Sequence, residues 1–144
     1  MSVAAAYHRL LQEPDPAIHM QAAKEWCAWE AALASVDPEA TPEPRRLQPA
    51  FQLAFARIVT HYFCHNAWLE EGVLLRHAHV LAPIPGILVH GRLDLGSPLI
   101  TAWELARAWP NSELVIVRGA GHASSDPGMS EALIAATDRF AIHC

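Results

Sequence analysis

The stretch Gly86-Ile87-Leu88-Val89-His90-Gly91-Arg92-Leu93-Asp94 decides the fold of this 144-residue chain. It opens with a short, mostly apolar run, and a glycine-bearing turn then leads to an acidic residue. A second run, Glu113 to Val117, is followed in the same way by Gly119-Ala120-Gly121-His122. Short continuous apolar runs are typical of strands that are buried on both faces of a parallel sheet. We therefore predict two parallel strands, each followed by a turn that carries a polar functional group.

Helices are predicted beside both strands. Ser97-Pro98 is a favourable helix start, with Ser97 as the N-cap of a helix that stops before Pro110. Asp126-Pro127 opens a last helix. Its apolar face is Met129, Leu133, Ala136 and Phe140. The order strand, helix, strand, helix indicates an α/β fold with a parallel sheet. Because two strands are too few for a stable sheet of this kind, we expect further strands upstream of the sequence.

The residues before Pro83 are predicted to be mostly helical. Asp15-Pro16 starts the first of three helices, and the third, weaker one spans about residues 69–81. Two helical stripes support this interpretation: Ile18, Ala22, Trp26, Trp29 and Leu33 in one helix, and Phe51, Phe55, Ile58 and Tyr62 in another. The proline-rich residues 37–49 are predicted to form a loop.

Composition excludes several classes of protein. The hydrophobic content of 52% is enough for one buried core, and a net charge of −5 argues against nucleic-acid binding. No apolar run approaches the roughly 18 residues of a membrane span, and the first fifteen residues do not resemble a signal peptide. The three cysteines, Cys27, Cys64 and Cys144, are widely spaced and suggest no disulfide framework. We expect a cytoplasmic protein without a cofactor.

Asp94 and His122 are the candidate catalytic residues. Working residues of open α/β sheets lie just beyond the carboxyl ends of the strands, where both are predicted. In an α/β-hydrolase the triad follows the chain order serine, acid, histidine, and these two residues fit the last two places. No Gly-x-Ser-x-Gly sequence precedes them, so we expect the C-terminal part of a hydrolase whose nucleophile is missing. The alternatives are a turn or cap residue for Asp94 and an ordinary loop histidine for His122.

Two other patterns carry less weight. The stretch from Gly128 to Ala132 has the outline of a nucleophile elbow, but it lies at a predicted helix start rather than between a strand and a helix. His61 and His65 are four residues apart, and His77 and His79 are two apart, yet the glutamate of a His-Glu-x-x-His zinc motif is absent. No metal site is predicted.

Almost the whole chain, from about Ala6 to Ala141, resembles the C-terminal portion of the proline iminopeptidase family. The similar stretches are residues 24–30 (KEWCAWE), 53–58 (LAFARI), 61–63 (HYF), 84–92 (IPGILVHGR) with Asp94, 102–103 (AW), 108–110 (AWP) and 121–122 (GH). The resemblance implies a serine peptidase that releases an N-terminal proline from peptides. It also implies a division into a helical cap, residues 1–82, and the end of the hydrolase core, residues 83–144.

The resemblance also implies residues that bind substrate. Glu30 matches a cap glutamate that binds the free α-amino group of the peptide, and Phe63 matches an aromatic residue that lines the proline pocket. A second family glutamate falls at Val59, which departs from the pattern, and Glu70 or Glu71 is the candidate to compensate. Without the resemblance, Glu30 would be a solvated helix residue and Phe63 would be part of the cap packing.

On this interpretation the chain is inactive alone, because an acid and a base without the serine have nothing to activate. The unpaired edge of the first strand invites association, either with the missing N-terminal half or with another copy. Two alternatives stay open. The chain could be a non-catalytic hydrolase remnant that acts as a binding module, or a fragment of another α/β-hydrolase such as an esterase.

Overall fold

A computed structural model describes residues 2–37 and 43–141 of the chain. Within these ranges the chain forms six α-helices and one two-stranded parallel sheet. The helices are α1 (Val3–Leu11), α2 (Pro16–Ala34), α3 (Pro49–Cys64), α4 (Val73–His77), α5 (Leu99–Ala108) and α6 (Met129–Ala141). The strands are β1 (Gly86–Gly91) and β2 (Ser112–Val117). The predicted α/β class is confirmed.

The described residues group into two compact units. The first combines residues 2–32 and 43–71, and the second combines residues 33–37 and 72–141. The predicted division into a cap, residues 1–82, and the end of a hydrolase core, residues 83–144, stays a prediction.

The core of the first unit lies among α1, α2 and α3. Its buried residues are Leu11, Ala22, Ala23, Trp26 and Ala56. Helices α1 and α3 approach each other closely, with Ala56 of α3 fully buried, and the Trp26 ring of α2 packs into the same cluster. Arg57 donates from Nε to the Leu11 carbonyl oxygen at 2.8 Å, which satisfies a carbonyl at the end of α1.

The helix α1 was not predicted as a separate element. Its start is fixed by Ser2, whose side-chain oxygen accepts a hydrogen bond from the Ala5 N–H at 3.2 Å. The predicted start of α2 is confirmed, because Asp15 Oδ1 accepts from the Ala17 N–H at 2.8 Å. The apolar stripe of α2 is only partly buried: Trp26 is 3% exposed, whereas Trp29 is 52% exposed.

Two helical predictions need correction. The weak helix predicted from about residue 69 begins at Val73, as α4, and a 3-10 turn over Ala78–Leu81 completes it. The loop predicted over residues 37–49 contains a 3-10 turn, Pro44–Leu47, and α3 already begins at Pro49. Residues 38–42 of that predicted loop lie outside the described residues.

The sheet of the second unit positions the candidate site. β1 and β2 pair in parallel, from Gly86 opposite Ser112 to Gly91 opposite Val117, and α5 connects them. Their carboxyl ends therefore meet at one edge of the sheet. The Trp109 indole nitrogen donates to the carbonyl oxygens of Leu81 and Ile84, each at 2.9 Å. These bonds hold in place the segment that directly precedes β1. No described helix is long and apolar enough to cross a membrane.

Candidate active site

The turn that follows β1 holds Asp94 in place through backbone hydrogen bonds. Arg92 donates its N–H to the Val117 carbonyl oxygen at 2.9 Å, and Leu93 donates to the Ala120 carbonyl oxygen at 2.9 Å. The turn is thus tied to the end of β2 and to the loop that follows. Asp94 is only 8% exposed, so its carboxylate needs partners within the protein.

One of those partners is Ser97, in a role other than the predicted one. The Ser97 N–H donates to Asp94 Oδ1 at 2.7 Å. The N-cap of α5 is Pro98, without a side-chain capping bond, so the prediction that Ser97 caps α5 is wrong. The physical reason is that Ser97 lies in the turn that folds back onto the acid, one residue before the cap position.

The loop that follows β2 presents His122. Asp126 Oδ2 accepts a hydrogen bond from the Gly121 N–H at 2.7 Å, which holds the residue just before His122. The sequence indicated Asp126-Pro127 as a helix start, but α6 begins at Met129, whose N–H donates to the Asp126 carbonyl oxygen at 3.0 Å. The Asp126 side chain therefore braces the histidine loop, a role that the sequence reasoning missed.

The structure brings the two predicted catalytic residues together. His122 Nδ1 lies 3.0 Å from Asp94 Oδ2. An ionised carboxylate only accepts hydrogen bonds, so Nδ1 carries the proton and Nε2 is left with a lone pair. The His122 side chain is 50% exposed, against 6% for that of Asp94. A buried acid that orients a half-exposed imidazole is the arrangement that a histidine base requires.

The charge state of Asp94 follows from its surroundings. Burial by itself raises the pKa of the carboxyl group. The hydrogen bonds from Ser97 and His122, together with the charges of the His122 and His90 imidazoles, outweigh burial, so the pKa of Asp94 is lower than its ordinary value. Asp94 is therefore ionised at neutral pH and can hold His122 in one tautomer.

Two glycines allow the acid and base loops to meet. A Cβ at position 91 would lie 2.6 Å from the Ala120 carbonyl oxygen and closer still to that of Gly121. A Cβ at Gly121 would lie 2.6 Å from Val36 Cγ1 and 3.2 Å from Asp126 Oδ2. Because the neighbours at Gly91 are backbone atoms, which cannot rotate away, the close approach of the two loops depends above all on the missing side chain at that position.

A second histidine lies beside the acid. His90, the last but one residue of β1, has its Nε2 2.8 Å from the Ser97 carbonyl oxygen and 3.8 Å from Asp94 Oδ2. Its side chain is 16% exposed. The sequence reasoning took His90 as a strand residue, and its position four residues before Asp94 was the available signal.

Glu30 and Phe63 lie in the first unit. Glu30 lines a groove of about 190 Å³ between α2 and α3, together with Cys27, Arg46 and Phe51 among others. Its carboxylate forms no hydrogen bond or ion pair with another described residue. Phe63 does not line this groove; it is 54% exposed, with its ring centroid 6.1 Å from that of Trp26.

The groove affects the chemistry of the cysteine within it. Burial raises the pKa of the Cys27 thiol, and the negative charge of Glu30 raises it further, while Arg46 lowers it. Cys27 also donates from Sγ to the Gln52 carbonyl oxygen at 3.7 Å. This thiol is therefore held in its neutral form.

The two patterns set aside from the sequence form no catalytic or metal site in the described ranges. Ser130 is the second residue of α6, and its hydroxyl donates to the Ser124 carbonyl oxygen at 2.9 Å, so it is not in an elbow. His65 donates from Nδ1 to the His61 carbonyl oxygen at 2.7 Å. No group of three or more histidine, cysteine, aspartate or glutamate side chains among the described residues could hold a metal ion.

Comparison with known proteins covers nearly the whole chain. The sequence model of the TAP-like protein family matches residues 53–142. A "probable proline iminopeptidase" of Streptomyces coelicolor is 48% identical over 141 residues, which are 95% of this chain and 43% of the relative. A proline iminopeptidase of Xanthomonas citri is 43% identical over 137 residues, 94% of this chain and 44% of the relative. One of Arabidopsis thaliana is 36% identical over 140 residues. The chain thus spans less than half the length of these relatives and matches their C-terminal portion.

Proposed function

We infer that Asp94 and His122 are the acid and base of a serine hydrolase, because the chain belongs to the TAP-like protein family and forms the C-terminal part of an α/β-hydrolase. The observation that carries this proposal is the 3.0 Å contact between His122 Nδ1 and Asp94 Oδ2 at the carboxyl ends of two adjacent parallel strands. The similarity to proline iminopeptidases supports a finer proposal, the release of an N-terminal proline from peptides.

The mechanism assigns one task to each of the two residues. His122 Nε2 accepts the proton of a serine hydroxyl as the serine oxygen attacks the carbonyl carbon of the N-terminal proline. The ionised Asp94 stabilises the imidazolium that forms. His122 then returns the proton to the leaving amine of the next residue, and a water molecule, activated by the same imidazole, hydrolyses the acyl-serine.

The serine and the donors that bind the oxyanion are proposed to come from polypeptide outside these 144 residues. No described hydroxyl or thiol forms a hydrogen bond with His122, whereas the relatives contain a longer segment before the matched portion. Among the described residues β1 pairs with β2 alone, so its other edge is free to accept a further strand. We propose that the chain is inactive without that polypeptide.

Recognition of the substrate is proposed to involve the first unit. The Glu30 carboxylate, which lines the groove and forms no hydrogen bond with another described residue, would bind the free α-amino group by a charge-assisted hydrogen bond. The exposed face of Phe63 would pack against the proline ring. The thiols of Cys27 and Cys64 are free, which supports a reducing, cytoplasmic setting.

Complementation tests this proposal. The chain is co-expressed with the segment of the Streptomyces coelicolor relative that precedes the matched portion, and the purified complex is assayed on a proline aryl-amide, with the chain alone as the control. We expect hydrolysis by the complex only. Asp94→Asn and His122→Ala should each remove more than about 99% of it. The exposed residues Asp138 and His77 offer matched control variants, Asp138→Asn and His77→Ala, which should keep full activity.

Other outcomes would point to the alternatives. A stable complex that hydrolyses aryl esters but not proline amides would contradict the peptidase and favour an esterase. A stable complex that hydrolyses neither substrate would contradict the catalytic proposal and favour a binding module.

A further inference from the structure

His90 holds two elements of the acid turn at once. Its Nε2 lies 2.8 Å from the Ser97 carbonyl oxygen. Since a carbonyl oxygen only accepts hydrogen bonds, Nε2 carries the proton and donates it. The same nitrogen lies 3.8 Å from Asp94 Oδ2, the oxygen that faces His122.

Ser97 is therefore held by hydrogen bonds at both its N–H and its carbonyl oxygen. Its N–H donates to Asp94 Oδ1 at 2.7 Å, while its carbonyl oxygen accepts from His90. The turn from Asp94 to Ser97 is therefore fastened to the rigid end of β1, where His90 lies opposite Ile116 in the sheet. Removal of the imidazole would leave the Ser97 carbonyl and one side of Asp94 without this anchor.

The chemistry of the position favours this role over simple packing. A residue in a strand of a parallel sheet is usually apolar, and a largely buried imidazole loses hydration unless its nitrogens are bonded. The His90 side chain is 16% exposed, and its Nε2 donates a hydrogen bond to the Ser97 carbonyl oxygen in the turn that carries Asp94.

We propose that His90 is a positioning residue for the acid–base pair: it fixes the turn from Asp94 to Ser97 so that Oδ2 faces His122 Nδ1. This inference rests on the proposed function for its catalytic consequence, but not for its geometry. His90 itself touches no reacting atom in the mechanism derived above.

The test compares variants that keep or remove the donor at the Nε2 position. Gln places its amide nitrogen close to where His90 has Nε2, Asn places it near Nδ1, and Phe has no donor. In the complex, His90→Phe should lower kcat on the proline aryl-amide about 10–100-fold and change KM less than about threefold, because misplacement of a catalytic group by about 1 Å has effects of this size. His90→Gln should keep kcat within about threefold, and His90→Asn should resemble Phe. His79→Gln, at an exposed histidine, is the control.

A second readout uses the 144-residue chain alone and does not require activity. The ¹⁵N shifts of the imidazoles report the tautomer of His122, which we expect to be the Nδ1–H form in the wild type and in His90→Gln. In His90→Phe we expect a mixture of tautomers. If the wild-type complex proves inactive, the proposed function fails, but this measurement still decides the positioning role.

Either of two results would overturn the inference. One is a folded His90→Phe variant with unchanged kcat and an unchanged His122 tautomer. The other applies if His90→Phe does not fold. In that case, if His90→Gln and His90→Asn have the same His122 spectra and the same kcat, the hydrogen-bond donor at Nε2 has no part in placing Asp94.

Discussion

The substitution Gly91→Ala should separate the acid from the base. An added Cβ would lie 2.6 Å from the carbonyl oxygen of Ala120, 2.8 Å from its carbonyl carbon, and closest to the Gly121 carbonyl oxygen. Real Cβ atoms essentially never come within 3.0 Å of such atoms. The obstacle is backbone, which cannot rotate away as a side chain could. The loop that carries His122 must therefore move.

The size of the effect follows from these distances. To reach an ordinary contact of 3.4 Å, the Ala120 carbonyl would have to retreat by about 0.8 Å and the Gly121 carbonyl by more. His122 follows Gly121 directly, so its Nδ1 should leave the 3.0 Å contact with Asp94. Overpacking of this kind costs about 1–3 kcal/mol, and the lost bond to a carboxylate about 1.5–3 kcal/mol more.

Thermal unfolding followed by circular dichroism is the assay, with Gly119→Ala as the matched control. No atom lies within 4 Å of the Cβ that Gly119→Ala would add, so this variant should melt within about 2 °C of the wild type. Gly91→Ala should melt at least about 5 °C lower, since 1 kcal/mol corresponds to roughly 2–8 °C in chains of this size. If the two variants melted together, the close approach of the two loops would be refuted.

Three further outcomes are expected. Because the folded-state pKa of Asp94 is lowered below its ordinary 3.8, its ionised form stabilises the fold above that pH, and this contribution is lost as the pH falls through the folded-state pKa. Asp94→Asn should therefore lower the melting temperature more at pH 7 than at pH 2.5, and an equal loss at both would contradict this. Leu11→Ala should lower the free energy of unfolding, measured in urea, by about 2–5 kcal/mol, because Leu11 is fully buried. The control Leu10→Ala, at a residue 42% exposed, should lower it by less than about 1 kcal/mol. Similar values for the two variants would refute the packing described for α1. Glu30→Gln removes a charge that raises the pKa of Cys27, so this thiol should react faster with iodoacetamide at pH 7.5. An unchanged rate would contradict the electrostatic effect of Glu30 on Cys27 in the groove.

The contact between Asp94 and His122 could be predicted because its signals are local. A buried parallel strand appears as a continuous apolar run, and its end is marked by the glycine of the following turn. Asp94 and His122 each follow such an end, and the parallel order of β1 and β2 brings both ends to one edge. The residues that brace the pair escaped prediction because Asp126 and Ser97 have equally ordinary roles at helix starts. Only the path of the turns decides between the two roles.

The late start of α4 follows a turn over residues 66–68 that apolar periodicity does not reveal. Asn66, Ala67 and Trp68 all adopt left-handed backbone conformations, with φ between 49° and 54°, which non-glycine residues rarely do. The Trp68 ring stacks on His65, with centroids 4.9 Å apart and planes 11° apart, and this contact stabilises the turn. Gly72, at φ +70°, then precedes α4. Helical propensity alone favours an earlier start, but the extended Leu69 and the left-handed Gly72 interrupt the helix before Val73.

Val59 links the stability of the first unit to the proposed recognition of substrate. The side chain is half-buried and packs against the core cluster that contains Leu11 and Trp26. A glutamate at this position, as the family resemblance implies for relatives, would place a carboxylate against that core at a desolvation cost. In the proposed enzyme, Glu30 then binds the α-amino group without a carboxylate from position 59. One charge-assisted hydrogen bond contributes about 1.5–3 kcal/mol, which corresponds to roughly 10–100-fold in binding, so this chain should discriminate less strictly for free amino termini than a relative with both carboxylates.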